Sequence, residues 1–177
     1  QYDFLNHVLS FGQDIFWRKR TVRLMKFFKT NRCLDVATGT GDIAINVAKE
    51  YPAVQVTGID FSEAMIDIAK EKSTQSCLKT IAFEWGDATN IHYPDDTFDV
   101  AIIAFGIRNI PDKQKALREM TRVVVTGGQV MVLEMVSQQN RFFRKIYQTY
   151  LCVGLPFLAS LFSSNKKAYE YLSSSII

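Results

Sequence analysis

The sequence is poor in the residues that form disulfide frameworks and metal centres. Its 177 residues include only three cysteines and two histidines. An odd number of widely spaced cysteines is typical of reduced, buried thiols in a cytosolic protein, and it argues against a disulfide framework and against a metal site. No secretory-type apolar segment occurs near the first residue, so we expect a cytoplasmic protein.

Long apolar runs and excess charge are also scarce. The segment Tyr147–Phe162 carries no charge, but its sixteen residues are too few for a membrane-spanning helix, and Gly154 and Pro156 interrupt it. It is interpreted either as a lid over the strand ends or as a core helix. The formal net charge of +3 is too small to indicate a nucleic-acid partner. A content of 47% hydrophobic and 22% charged residues is typical of a soluble globular protein.

The order of apolar and polar segments predicts a single α/β domain over residues 1–177. Strand-like and helix-like segments alternate between residues 33 and 135, which is typical of a parallel sheet with helices on both faces. The predicted strands are 33–37, 54–59, 80–84, 98–104 and 129–135, and the predicted helices are 41–51, 63–71 and 113–125. A helical cap over 1–32 precedes this core, and a lid or substrate-side helical segment over 138–177 follows it.

The helical cap contains a run of basic residues. Apolar residues recur at helical spacing over 2–9 and 15–28, and Arg, Lys, Phe, Trp and Leu alternate in the second of these segments. One interpretation is a helix with a solvated cationic face. The other is an amphipathic helix that contacts an anionic membrane surface, at the inner face of the membrane.

A glycine-rich turn follows the first predicted strand. In Asp35-x-Ala37-x-Gly39-x-Gly41, a strand passes through a turn into a helix, which is the arrangement of a cofactor cradle. Asp60 ends the next strand, where a carboxylate can bind the two hydroxyls of a ribose. The spacing Gly39-x-Gly41-x-x-Ala44 also satisfies a dinucleotide fingerprint, so two cofactor classes fit the turn.

The acidic residue before the turn separates these two classes. A carboxylate at Asp35 would repel a pyrophosphate, whereas it would attract a cation such as the sulfonium and ammonium groups of S-adenosylmethionine. The sequence also lacks the Tyr-x-x-x-Lys pair that a short-chain dehydrogenase needs for proton transfer. These features favour S-adenosylmethionine as the cofactor.

The turn resembles the first motif of class I methyltransferases, with Ala37 where many members carry glycine. Further segments resemble the quinone-biosynthesis C-methyltransferases; they are Tyr2–Asn6, Leu9–Gly12 with Trp17-Arg18, Phe105–Asn109, Gly127-Gly128 with Val132–Glu134, and Tyr169–Ile176. Family members usually have Lys-Pro where this chain has Val125-Thr126. The resemblance covers nearly the whole chain.

The resemblance implies a Rossmann-like class I methyltransferase fold and methylation of a ring carbon on a polyprenylated quinol. The expected reaction is demethylmenaquinol to menaquinol, and the alternative is the equivalent benzoquinol step of ubiquinone synthesis, because no residue indicates the ring size unambiguously. Other hypotheses are a class I methyltransferase for another small acceptor and a non-catalytic scaffold subunit with this fold. The family's sheet continues with further strands after the Tyr169–Ile176 segment, so we expect those C-terminal strands to be missing here.

The resemblance also implies site residues. The expected cofactor contacts are Asp35, Gly39, Thr40 and Gly41 for the methionine part, Asp60 and Phe61 for the ribose and adenine, and Asp87, Ala88 and Ala104 beyond them. Arg108 and Asn109 are the candidate catalytic residues, and Tyr2 and Asp3, together with Arg108, are the substrate candidates. Arg108 is permanently charged, so we expect it to hold a phenolate or to polarise a water molecule.

Three of these residues have structural interpretations as well. Asp60 could cap the helix that starts at Ser62, for which Ser62 is itself a suitable N-cap. Asp87 could cap its own loop, because Gly-Asp is a common turn. Arg108 could be a structural arginine paired to Asp112 or Glu119.

Overall fold

The computed structural model describes residues 12–135. The chain divides into two compact units, one of residues 16–134 and the other of residues 1–15 with 135–177. The first unit contains the sheet and is the one described here. The lid segment over 138–177 and the first predicted helix, over 2–9, lie outside the described residues. Between residues 12 and 135 no helix is long and apolar enough to cross a membrane, and no group of three His, Cys, Asp or Glu side chains could hold a metal ion.

The described chain alternates helices and strands as the sequence pattern predicts. The helices are α1 (Gln13–Arg23), α2 (Asp42–Glu50), α3 (Glu63–Gln75) and α4 (Lys113–Val123), and a 3₁₀ turn covers Ile107–Asn109. The strands are β1 (Arg32–Val36), β2 (Gln55–Asp60), β3 (Ile81–Trp85), β4 (Phe98–Ala104) and β5 (Val124–Leu133). Every predicted core element is therefore present, with ends displaced by a few residues.

The five strands form one sheet in which all the described pairs are parallel. Their order is β3-β2-β1-β4-β5. Strands β2 and β3 lie on one side of β1, and the chain then crosses to β4 and β5 on the other side. The connection that follows β1 and the connection that follows β4 therefore run in opposite directions. Ligands of open parallel sheets bind at this point, beyond the carboxyl ends of the strands. The predicted sheet is confirmed, and it places the glycine turn after β1 at this position.

Successive side chains of the central strands point to opposite faces of the sheet and form two buried apolar clusters, one on each face. One cluster unites β-strand residues with α2 and α3, and its buried members include Cys33, Ile43, Ala44, Val47, Val56, Ile66, Ala69, Phe83, Val100 and Ile102. The other packs under α4 and includes Leu34, Val36, Ile59, Phe98, Ala101, Ile103, Met120 and Val123. Burial of a side chain of this size contributes roughly 1.5–3 kcal/mol, so the two clusters fix the strands that carry the site.

The predicted helix over 15–28 ends earlier than its apolar spacing suggests. Helix α1 stops at Arg23, and the following segment is held by Asp99 of β4. This fully buried carboxylate accepts hydrogen bonds from the backbone N–H groups of Lys29, Thr30 and Asn31, at 3.1, 3.0 and 2.7 Å. Amides that point together at one carboxylate are not available to a helix, so Lys29 and Arg32 do not continue the cationic face of α1.

The chain also departs from prediction at the start of β5. Helix α4 ends at Val123, two residues earlier than predicted, and the chain pairs with β4 from Val124 onward. Phe98 pairs with Val124 and Val100 with Gln129, so residues 126–128, which lie between the predicted helix 113–125 and the predicted strand 129–135, form a bulge within a strand. Gly127 has a φ of 86°, which suits glycine in such a bulge.

The cysteines are only partly as expected. Cys33 and Cys77 are both free thiols, and Cys33 is buried in β1. Cys77 is exposed, contrary to the prediction, because it follows the C-terminal end of α3 at the surface in a left-handed conformation with a φ of 54°. Cys152 lies outside the described residues.

Candidate active site

The glycine turn leaves space above the sheet and contacts the sheet tightly below. Gly39 and Gly41 have φ angles of 56° and 84°, in the left-handed region that favours glycine. A Cβ at Gly39 would meet no atom of the described residues within 4 Å, so among these residues the space above the turn is open. At Gly41, a Cβ would lie 2.6 Å from Cζ of Phe83. The turn is therefore a cradle that is closed on its inner side and open on its outer side.

Asp35 lies beneath this turn and is only 1% exposed. Its Oδ2 atom accepts hydrogen bonds from the Thr38 hydroxyl at 2.6 Å and from the backbone N–H of Ala44 at 3.1 Å. Burial raises the pKa of the Asp35 carboxyl from 3.8 to about 7, although these two hydrogen bonds oppose the shift. The carboxylate thus joins the turn to the start of α2, and its predicted contact with the cofactor's ammonium group stays a prediction.

Asp60 is half-buried at the end of β2 and binds the turn from the side. Its Oδ2 atom accepts a hydrogen bond from the backbone N–H of Gly39 at 2.8 Å, and Oδ1 accepts one from the N–H of Ser62 at 2.9 Å. The structural interpretation as a helix cap is thus realised by Asp60, and the Ser62 side chain makes no capping hydrogen bond. Each carboxylate oxygen has a second lone pair, so the residue retains capacity for a ribose hydroxyl.

Two exposed aromatic side chains stand beside Asp60. Phe61 is 71% exposed, and its ring centroid lies 5.6 Å from that of Trp85 at the end of β3. The indole N–H of Trp85 donates a hydrogen bond to the Phe61 carbonyl oxygen at 3.0 Å. Trp85 was not predicted as a site residue. Its only sequence signal is an aromatic residue two positions before Asp87.

Asp87, Ala88 and Ala104 complete the predicted cofactor set. The backbone N–H of Gly86 donates to the Asp60 carbonyl oxygen at 3.0 Å, which brings the loop after β3 beside the end of β2. Asp87 accepts a hydrogen bond from the N–H of Thr89 at 2.7 Å, so its loop-capping interpretation is also realised. Ala88 and Ala104 are half-buried, Ala88 in this loop and Ala104 at the end of β4.

Charged side chains surround the start of α2. Asp42 pairs with Arg18 of α1 and accepts a hydrogen bond from Lys72 of α3 at 2.7 Å. Lys72 also donates to the hydroxyl of Thr40 at 3.0 Å. The Arg18 guanidinium lies 5.4 Å from the centre of the Phe105 ring. The Thr40 hydroxyl is therefore engaged by α3, and sequence reasoning missed this network because its partners come from distant helices.

Arg108 lies in the 3₁₀ turn that follows β4. The start of this turn touches the glycine turn, since a Cβ on Gly106 would lie 2.9 Å from Cβ of Ala37. Nη1 of Arg108 lies 3.4 Å from Oε1 of Glu134, and the two side chains are 16% and 15% exposed. The predicted structural partners Asp112 and Glu119 are wrong, because Asp112 caps α4 and Glu119 binds Arg122. Asn109 is exposed beside Arg108.

The described residues fit S-adenosylmethionine. The open space over Gly39 admits a ligand against the backbone, Asp60 presents a carboxylate beside it, and Phe61 offers an exposed ring. Arg108 lies across the turn from these groups. Tyr2 and Asp3, the other substrate candidates, lie outside the described residues. The structure thus brings the predicted residues of the turn and of the ends of β2, β3 and β4 to one edge of the sheet.

Comparisons with known proteins agree with this geometry. The chain is 42% identical to a ubiquinone/menaquinone biosynthesis C-methyltransferase UbiE of Geobacter sulfurreducens, over all of this chain and 70% of that protein. It is also 42% identical to a demethylmenaquinone methyltransferase of Thermotoga maritima, over all of this chain and 76% of the relative. Its fold matches that of a putative S-adenosylmethionine-dependent methyltransferase of Methanococcus maripaludis, with a TM-score of 0.68 at 19% identity, over 98% of this chain and 79% of the other.

A sequence model of one family covers the whole chain. Residues 1–177 match the model described as the ubiE/COQ5 methyltransferase family. Taken with the relatives and the fold, this match establishes a methyltransferase whose cofactor is S-adenosylmethionine. The chain belongs to the ubiE/COQ5 methyltransferase family.

Proposed function

We propose that this enzyme methylates a ring carbon of demethylmenaquinol. The observation that carries the proposal is the position of Arg108, a mostly buried cation in the turn that touches the glycine turn. Within residues 12–135, its buried Nη1 atom has an ion pair and no hydrogen bond. A buried donor without a hydrogen-bond acceptor is costly, so an oxygen of a ring substrate would be bound there.

The predicted cofactor residues are proposed to hold S-adenosylmethionine along the carboxyl edge. Asp60 binds the ribose hydroxyls and Phe61 packs on the adenine, while Asp87 and the backbone N–H of Ala88 bind the adenine edge. The turn residues Asp35, Gly39, Thr40 and Gly41, with Ala104 beyond them, hold the methionine part. When bound, the cofactor supplies an electrophilic methyl group and carries its own leaving group.

The protein then has to position the ring and make its carbon nucleophilic. A quinol ring carbon gains nucleophilicity when a neighbouring hydroxyl ionises. The Arg108 guanidinium stabilises the resulting phenolate by a charge-assisted hydrogen bond, or polarises a water molecule that accepts the proton. It cannot itself accept the proton, because arginine stays charged in proteins. Asn109, adjacent and exposed, is proposed to bind a second ring oxygen, and Tyr2 and Asp3 are proposed on the substrate side.

The naphthoquinol ring is preferred to the benzoquinol ring because of the relatives' names. The proteins of Thermotoga maritima and Thermus thermophilus, 42% identical to this chain, are named demethylmenaquinone methyltransferases. The Geobacter relative carries a name that includes both quinones. Transfer of radiolabelled methyl to demethylmenaquinol, compared with the benzoquinol counterpart, tests the choice. Faster labelling of the benzoquinol would contradict it.

Arg108→Met tests the assigned role. It keeps an unbranched side chain but removes the guanidinium, so turnover should fall about 100-fold, within the range seen for loss of a charge-stabilising donor. The affinity for S-adenosylhomocysteine, measured by calorimetry, should stay within about threefold, since the predicted cofactor contacts lie elsewhere. Unchanged turnover would remove Arg108 from the mechanism.

We also propose that the enzyme is cytoplasmic and works at the membrane surface, where a prenylated quinol resides. Phe16, Leu24 and Phe28 are 62%, 57% and 56% exposed, and exposed basic residues alternate with them; they are Lys19, Arg20, Arg23, Lys26 and Lys29. Apolar side chains among cations favour an anionic bilayer. Co-sedimentation with vesicles containing phosphatidylglycerol should fall when Phe16 and Phe28 are replaced by Ser. Equal binding to neutral vesicles would contradict the electrostatic part.

A further inference from the structure

We propose that Glu134 makes the ring site selective for uncharged rings, by holding the Arg108 guanidinium in place and cancelling its charge. The inference rests on the proposed function, in which the ring lies against the 3₁₀ turn Ile107–Asn109. It concerns which rings can bind there. It assigns a role to Glu134, which the sequence motif contains but for which the mechanism above has no use.

The pairing of β4 with β5 brings the two residues together. Ala104 pairs with Leu133, and the N–H of Phe105 donates to the Leu133 carbonyl oxygen at 2.7 Å. Glu134 follows β5 directly, and Arg108 lies one short turn beyond β4. The ladder thus fixes their separation, and Oε1 of Glu134 lies 3.4 Å from Nη1 of Arg108.

The geometry differs from that of a purely structural arginine in the same protein. Arg122 donates hydrogen bonds of 2.8–2.9 Å to Glu119 and further ones to Asp95 and to the carbonyl oxygens of Ile91 and Tyr93. Its guanidinium is occupied on all sides. Among the residues that the structure describes, Nη1 of Arg108 has an ion pair to Glu134 and no hydrogen bond. The charge of Arg108 is therefore balanced, while an N–H group remains available to a ligand oxygen.

The consequence is a preference between ligands of the same shape. A lone, mostly buried arginine attracts carboxylates strongly, because charges interact more strongly away from bulk water. With Glu134 beside it, the pair has no net charge, and the carboxylate of an incoming ligand is repelled by that of Glu134. A neutral ring hydroxyl is not repelled by Glu134 and still accepts a hydrogen bond from the available N–H group of Arg108. The site therefore accepts a quinol and rejects the same ring bearing a carboxylate. The phenolate of the proposed mechanism forms only after the neutral quinol has bound, and the hydrogen bond from this N–H group stabilises it without a net positive charge on the pair.

Two probes of equal shape test this preference. Calorimetric titration of 1-naphthoate and of 1-naphthamide into the enzyme saturated with S-adenosylhomocysteine gives the ratio of their affinities. In Glu134→Gln, we expect naphthoate to gain about tenfold relative to naphthamide, equivalent to ~1.4 kcal/mol. Glu134→Asp retains the charge and should keep the wild-type ratio. Arg108→Met combined with Glu134→Gln should abolish the gain, because the unbalanced cation is then absent.

A control variant and a second substitution keep the test decisive. Glu50→Gln removes a carboxylate from the exposed pair with Arg23, at 3.6 Å, and should leave the ratio unchanged. An unchanged ratio in folded Glu134→Gln, or an equal loss of both probes, would overturn the proposal. If Glu134→Gln does not fold, Arg108→Gln takes its place and should weaken naphthoate about tenfold relative to naphthamide, since Arg108 then no longer balances the Glu134 carboxylate. An unchanged ratio in Arg108→Gln would overturn the proposal.

The test stands apart from the proposed function. Methyl transfer to demethylmenaquinol by the wild-type enzyme with an unaltered probe ratio in Glu134→Gln would refute only the role of Glu134. Absence of transfer by the wild-type enzyme would refute the proposed function itself.

Discussion

The ring of Phe83 fills the space that a side chain at Gly58 would need. A Cβ on Gly58 would lie 2.6 Å from Cδ1 of Phe83 and 2.8 Å from Oγ1 of Thr38. The same ring reaches Gly41 on its other side, at 2.6 Å from a Cβ there. Phe83 on β3 therefore leaves no room for a side chain at Gly58 in β2 or at Gly41 in the glycine turn. Its ring also packs beneath the glycine turn.

Gly58→Ala should destabilise the protein by about 1–3 kcal/mol, the usual cost of overpacking a core. Urea denaturation measures the free energy of unfolding. The double variant Gly58→Ala with Phe83→Leu should lose less of it than the two single variants lose together, because leucine at position 83 leaves room for the new Cβ. Gly39→Ala serves as the control, since its Cβ would meet none of the described atoms within 4 Å and only its φ of 56° is unfavourable. Additive losses at Gly58 and Phe83 would contradict the account.

Asp35 should make stability fall as the pH rises toward neutrality. Burial raises its pKa to about 7, above the ~3.9 of an aspartate in an unfolded chain. Between these values the folded state binds more protons than the unfolded state, so the free energy of unfolding decreases with rising pH, by at most about 1.4 kcal/mol per pH unit. Asp35→Asn lacks this dependence. The free energy of unfolding, measured at several pH values from 5 to 8, should therefore fall more steeply with pH in the wild-type protein than in Asp35→Asn. The same pH dependence in both proteins would refute the raised pKa.

The same carboxyl should release a proton when the cofactor binds. A nearby sulfonium or ammonium group favours the charged form of Asp35 and lowers its pKa. At pH 7 about half of the Asp35 groups are protonated, so binding should release up to roughly half a proton. Calorimetry in two buffers of different ionisation enthalpy measures this release, which should vanish in Asp35→Asn. Equal release by both proteins would mean that Asp35 does not sense the cofactor.

Asp60→Asn should reduce the affinity for the cofactor more than it reduces the free energy of unfolding. The amide oxygen can still accept one of the two backbone hydrogen bonds at 2.8 and 2.9 Å, but the charge that binds ribose hydroxyls is lost. We expect the affinity for S-adenosylhomocysteine to fall at least tenfold, or ~1.4 kcal/mol, with a loss of unfolding free energy of about 1 kcal/mol. Asp112→Asn is the control, because Asp112 also accepts a backbone N–H, as the cap of α4, and lies outside the predicted cofactor set; it should leave the affinity unchanged. Unaltered affinity in Asp60→Asn would assign Asp60 to the turn alone.

Strands, helix starts and the glycine turn could be predicted from the sequence wherever they depend on residues close together in the chain. Short apolar runs located each end of β1 to β4 within one residue. Asp112 caps α4 through the Lys115 amide, where a helix start was predicted. The glycine turn and the acid at the end of β2 also follow from spacing. Such features depend on neighbours within a few residues, which a pattern can reveal.

Long-range partners could not be predicted in this way. Asp99 reads as one polar residue in an apolar strand, yet it binds three amides about 70 residues earlier in the chain. Glu134 pairs with Arg108 only because a bulge shifts the register of β5 on β4. Each contact depends on which strands become neighbours and in what register, so no local pattern contains it.

The most direct test of the central claim is the chemical position of the transferred methyl group. The enzyme is incubated with demethylmenaquinol and S-adenosylmethionine labelled with carbon-13 in its methyl group, and the extracted quinone is examined by NMR. The account predicts a signal from a methyl carbon bonded to the ring carbon, and its strong reduction in Arg108→Met. A methoxy signal, or an unlabelled quinone from folded enzyme that binds the cofactor, would contradict it.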